Sequence, residues 1–82
     1  MIQVKVHFFS TIRARTGVKQ IEIEMLPGSR VGDLKKEIAS RYPEAAATVA
    51  GMMASVNQVF SDDSTEIPDG ALVAFFPYVT GG

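Results

Sequence analysis

The residues most open to chemistry stand at the end of the sequence, which closes Phe76-Pro77-Tyr78-Val79-Thr80-Gly81-Gly82. At the average usage of glycine, a closing pair arises by chance in about 1 in 200 chains. A terminal carboxylate has a pKa of roughly 3.3–3.7, so at neutral pH it is an anion and a poor electrophile, and chemistry at Gly82 needs activation. A carbonyl carried on residues without Cβ presents the narrowest backbone for entry into another protein's cavity, and any side chain there blocks the approach. From Pro77 to Gly82 the six residues span at most about 20 Å. The rest of the chain offers no means of activation: it has no Walker-type phosphate loop and no nucleophile paired with a base. Zero cysteines exclude a disulfide framework, thiolate zinc and a cysteine nucleophile. The one histidine, His7, lies in an alternating run and reads as a packed or surface residue. Asp62 and Asp63 are adjacent carboxylates in a polar loop with no other metal-binding residue types nearby, and read as solvated. Arg13 and Arg15 offer a contact to an acidic partner, although two arginines in a connection are a slight signal. Met52 and Met53 read as packing beside a sheet.

These residues need a scaffold, and 82 residues suffice for one small domain with one core. With 46% hydrophobic and 21% charged residues, the composition is that of a folded protein. Eight Lys and Arg against nine Asp and Glu leave a net charge of -1, which provides no basic field for nucleic acid or an anionic membrane. The opening run Ile2-Gln3-Val4-Lys5-Val6-His7 alternates where a secretory signal would be continuously apolar, and Leu72 to Pro77 is far too short to span a bilayer. A cytoplasmic location is expected.

The alternation places Ile2, Val4, Val6 and Phe8 on one side of a strand, with Gln3, Lys5, His7 and Phe9 on the other. Ser10 to Gly17 reads as a polar connection containing at most a helical turn. Ile21, Ile23 and Met25 against Gln20, Glu22 and Glu24 mark a second strand, pairing with the first and ending at Leu26-Pro27-Gly28. Val31, Leu34, Ile38 and Tyr42 recur at helical spacing, which predicts an amphipathic helix opened by Ser29 as N-cap and stopped before Pro43. The alanine-rich stretch Glu44 to Val49 suggests a short helical piece. Met53 to Val56 reads as a short strand, Phe60 to Glu66 as a polar excursion and Ile67-Pro68-Asp69-Gly70 as a turn. The last strand, Ala71 to Phe76, is apolar on both sides, with Val73 and Phe75 opposite Leu72, Ala74 and Phe76. One helix across a mixed sheet is the economical α+β arrangement for this order, the ubiquitin-like β-grasp fold. The helix covers one sheet face; the other is either covered by a loop or the alanine-rich piece, or left as an apolar patch for a partner. Residues 1–77 are expected to form the domain and 78–82 a flexible C-terminal tail.

The words Ala54-Ser55-Val56-Asn57-Gln58, Pro68-Asp69-Gly70, Val73-Ala74-Phe75-Phe76-Pro77 and Val79-Thr80-Gly81-Gly82 resemble the small subunits of molybdopterin synthase, a family of ubiquitin-like sulfur carriers. The resemblance extends to the opening strand with Phe8-Phe9 and to the helix start Val31-Gly32-Asp33-Leu34. Tyr78 departs from it, standing where the family often has a second proline. The resemblance implies that an E1-like activating enzyme uses ATP to adenylate Gly82, that a sulfur donor converts the acyl-adenylate to a thiocarboxylate, and that Gly81 gives access. It further implies transfer of that sulfur to a cyclic pyranopterin precursor held by the large synthase subunit, in a hetero-oligomer, with no cofactor bound by this chain itself. Phe9, Phe60 and Phe76 are the candidate docking patch on the same basis, joined by Pro77, Tyr78, Val79 and Thr80, with core packing the alternative for the three phenylalanines.

Three other functions fit the same residues. The carrier could deliver sulfur to thiamin thiazole synthesis or tRNA thiolation; the extra segment Glu44 to Met53 argues against the generally shorter thiazole carriers. An activated terminus would equally serve a ubiquitin-like modifier joined to lysines, and a plain binding module would make no use of its glycines.

Overall fold

The computed structural model describes residues 1–77. Alternation dominates the first strand, β1 (Ile2–Phe8), whose residues are buried and exposed in turn until His7, which is half-buried. It pairs antiparallel with β2 (Gln20–Met25), from Ile2 opposite Met25 to His7 opposite Gln20. The connection between them is a helix, α1 (Ser10–Thr16), where only a turn was expected. Ile12 explains the difference: its side chain is fully buried in the core, and that contact holds a seven-residue helix whose other side chains are exposed or half-buried. Gly17 ends the helix at φ +77°, the left-handed conformation that L side chains resist, and its N–H caps Arg13 O at 2.9 Å.

The amphipathic helix α2 (Val31–Arg41) buries Val31, Leu34, Lys35 and Ile38. Its N-cap is Arg30, one residue after the expected Ser29. The Arg30 N–H donates to Asp33 Oδ2 at 2.9 Å, while the Ser29 hydroxyl turns back to Leu26 O at 2.6 Å and so serves the preceding turn. A 3-10 turn, Pro43–Ala45, leads into α3 (Ala46–Ala50), so the alanine-rich stretch is helical. Two strands follow, β3 (Met53–Val56) and β4 (Val59–Ser61), and β5 (Leu72–Phe76) is the last described element. The β4 strand is a correction, because Phe60 belongs to it and not to the loop. Val56 and Val59 pair across a two-residue turn, Asn57-Gln58, with φ of 50° and 69°.

The sheet order is β2-β1-β5-β3-β4, with β5 parallel to β1 and antiparallel to β3. This is the β-grasp arrangement. The inward strand residues Val4, Val6, Phe8, Ile23, Ala54, Val56, Val73 and Phe75 share one cluster with Ile12, Leu34, Ile38, Ala45 and Val49 of the helical segments. All the helices therefore lie on one face, and the alanine-rich piece extends that layer without crossing to the other. No helix among the described residues is long and apolar enough to cross a membrane.

Candidate functional site

Burying one sheet face fixes what the other displays, because neighbouring side chains on a strand point to opposite faces. Register sets the opposite face in rows: His7 of β1 beside Ala74 of β5, Ala74 beside Ser55 of β3, and Ser55 beside Phe60 of β4. A second row carries Phe76 beside Met53. Leu72, Ala74, Phe76, Met53 and Ser55 are half-buried, and no described element lies over them. Phe60 is 71% exposed, and its ring meets that of Phe76 edge-on at 5.6 Å between centroids. Phe9 lies just past β1, 48% exposed, edge-on to His7 at 6.3 Å. An aromatic pair thus stands at each side of a small-residue floor of Ala74 and Ser55. Of the three phenylalanines weighed for docking, none belongs to the buried core, whose aromatic members are Phe8 and Phe75.

Toward β2 the same face turns polar, with Lys5 opposite Glu22 and the Gln3 amide donating to Glu24 Oε1 at 2.8 Å. The apolar half adjoins the end of β5, where exposed Pro77 closes the described chain. Tyr78, Val79, Thr80, Gly81 and Gly82 lie outside the described residues. Met53, Leu72 and Ala74 complete the apolar floor, and the two-sided hydrophobicity of the last strand was the available signal for the latter two.

The remaining candidates have structural duties. Asp63, read from sequence as solvated, pairs through Oδ1 with Lys35 Nζ at 2.9 Å, and the same ammonium donates to Met52 O at 2.8 Å. Lys35 therefore joins α2 to the start of β3 and to the loop after β4. Asp62 Oδ1 accepts from the Ser64 hydroxyl at 2.6 Å and from the Ser64 N–H at 2.9 Å. These bonds, the hydroxyl's first, hold its carboxyl below the ordinary value because they favour the charged form. Met52 is buried in the core and Met53 faces the patch. No three His, Cys, Asp or Glu side chains among the described residues group as metal ligands.

Comparison with known proteins matches residues 6–82 to the ThiS family. The chain belongs to the ThiS family. Within it, the molybdopterin synthase sulfur carrier subunit of Mycobacterium tuberculosis is 35% identical over 83 aligned positions, covering the whole of both chains. A Pyrococcus furiosus structure assigned as molybdopterin converting factor, subunit 1, superposes with a TM-score of 0.86 at 32% identity, over 96% of this chain and 100% of that one. A Helicobacter pylori complex of subunits 1 and 2 of molybdopterin-converting factor shares the fold, with a TM-score of 0.69 at 21% identity over 99% of this chain and 100% of that one. The family match includes Gly81 and Gly82.

Proposed function

We propose that this ThiS-family chain is the sulfur carrier subunit of a molybdopterin synthase. The observation that carries the reading is the uncovered apolar face, which runs to the strand end from which the Gly-Gly segment continues. Full-length similarity to the M. tuberculosis carrier subunit supports the pathway.

In this reading a Gly82 carboxylate oxygen attacks the α-phosphorus of ATP within an E1-like activating enzyme, and pyrophosphate leaves. A sulfur donor then displaces AMP from the acyl carbon, leaving a thiocarboxylate. Docked through Phe9, Phe60, Phe76 and Pro77, the carrier holds its terminal sulfur at a fixed place in the large subunit, and the effective concentration of the nucleophile rises accordingly. The sulfur bonds to an electrophilic carbon of a cyclic pyranopterin precursor as an oxygen leaving group departs from that carbon, and water then hydrolyses the acyl C–S bond of the resulting thioester, which leaves the sulfur on the precursor and Gly82 as a carboxylate ready for another round. Tyr78, Val79 and Thr80 line the route between the docked domain and the reacting carbonyl. The setting is the cytoplasm, where ATP is abundant.

The test is the intact mass of carrier isolated from cells that also express the activating enzyme. Replacement of one oxygen by sulfur is expected, together with co-purification of the large synthase subunit. Deletion of Gly82 should abolish sulfur transfer and Gly81→Ala should reduce it strongly, with thermal unfolding unchanged in both, because neither residue belongs to the described core. Normal transfer by the truncated chain would overturn the reading.

A further inference from the structure

The near-zero net charge conceals an uneven distribution of charge. Between Met1 and Ile21 the sequence holds Lys5, Arg13, Arg15 and Lys19 and no Asp or Glu. The fold gathers three of these at one end. Strands β1 and β5 run parallel and finish together at Phe8 opposite Phe75, and α1 opens two residues beyond Phe8. Lys19 returns to the same place, since its carbonyl accepts the Phe8 N–H at 2.8 Å. The Tyr42 ring rests edge-on against Phe8 at 6.2 Å, which brings Arg41, the last residue of α2, to this end as well. Arg13, Arg15, Lys19 and Arg41 are all exposed. Of these four, only Arg41 has a carboxylate in reach among the described residues, Glu37 at 3.3 Å.

The opposite end is acidic. Asp69 accepts the Gln3 N–H at the start of β1, Glu24 accepts from the Gln3 side chain, and the backbone of Glu66 pairs with that of Arg30. Asp33 sits in the first turn of α2. Asp62 and Asp63 do not belong to this end: they follow Ser61, which register places beside Ala54 and so level with Phe75, and Asp63 is paired there with Lys35. The cations of α1 and Lys19 therefore stand beside β1 at the end where β5 finishes, across the sheet from Asp62 and Asp63 on the β4 side.

We infer that Arg13, Arg15 and Lys19 form a cationic collar that meets carboxylates on the rim of the cavity by which the large synthase subunit admits the Gly-Gly segment. The inference rests on the sulfur-carrier reading above and names the surface chemistry that its partner must present. Charge complementarity argues for an acidic protein rim, because among the described residues no carboxylate pairs with any of the three collar cations. The collar acts at the rim and not at the reacting carbonyl, since the five residues beyond Pro77 carry Gly82 up to about 18 Å away. At physiological salt the Debye length is about 8 Å, so the effect falls on encounter more than on the docked complex.

The experiment measures association of full-length carrier with the large synthase subunit by stopped-flow fluorescence between about 20 mM and about 300 mM NaCl, where screening changes severalfold. The association rate of the unaltered carrier should fall at least about 10-fold over this range. The Arg13→Glu, Arg15→Glu, Lys19→Glu triple variant should associate at least about 10-fold more slowly at low salt and lose that dependence, with dissociation changed by less than about 2-fold. A triple glutamine variant, which keeps the helix formers without charge reversal, should fall between the two. A complex that forms at a salt-independent rate, or a reversed variant that associates as fast as the original, would overturn the collar and leave the carrier reading standing. Absence of any complex with the unaltered carrier would overturn both.

Discussion

The Asn57-Gln58 turn does without the glycine usual at its second position. The two-residue turn between β3 and β4 needs positive φ at both central positions, which Asn-Gly supplies most readily and Asn57-Gln58 supplies here. Asn57 also extends the sheet: its N–H donates to Leu72 O at 2.8 Å and its Oδ1 accepts the Leu72 N–H at 2.9 Å. Asn57→Ala removes the side-chain acceptor and places an unfavourable residue at φ 50°, so it should cost about 1–2 kcal/mol by urea denaturation. Asn57→Gly, which tolerates the backbone, should cost less. Asp62 supplies a pH-dependent counterpart. Its folded pKa lies below the unfolded value, so its contribution is present above about pH 4 and is lost as pH falls through the folded pKa. Asp62→Asn should therefore flatten the acid limb of a stability profile below about pH 4, and an unchanged limb would mean that the Ser64 bonds contribute nothing.

The elements that sequence disclosed were those with period and length: β1 and β2 through their alternation, α2 through Val31, Leu34 and Ile38. Those it concealed were short and held by tertiary contact. Helix α1 depends on Ile12 entering the core, which no pattern of seven residues announces. Strand β4 is three residues long, and neither Val59 nor Phe60 is buried, so pairing with β3 and not packing defines it. The apolar face, by contrast, was legible in Leu72, Ala74 and Phe76, because a strand hydrophobic on both sides needs two covers and the chain has one helical layer. Phe60 belongs to this face and not to the core, so Phe60→Asp should change stability by less than about 1 kcal/mol. The same substitution should weaken docking to the large subunit at least about 10-fold, as loss of an aromatic anchor does at protein interfaces. Calorimetric binding beside thermal unfolding separates the two effects, and unchanged affinity would remove Phe60 from the docking surface.

At the scale of the whole molecule, the proposed sulfur-carrier function divides between the described domain and the length of chain that follows it in sequence. The described domain has a Cα radius of gyration of 11.7 Å, and its docking face and charged end stay with that body. Reach is set separately, by the count of residues between Pro77 and Gly82. Deleting Val79 and Thr80 while keeping Gly81-Gly82 shortens that reach by about 7 Å, far more than the roughly 0.5 Å tolerance of a reacting centre. The shortened carrier should unfold at the temperature of the full chain and bind the large subunit within a few-fold, because its face is intact. Even when loaded chemically with a terminal thiocarboxylate, it should fail to transfer sulfur, since its nucleophile stops short of the precursor. Chemical loading bypasses the activating enzyme, so this measurement isolates the final step. Transfer at an undiminished rate would mean that docking does not fix the distance to the reaction, and the division of labour between body and segment would be wrong.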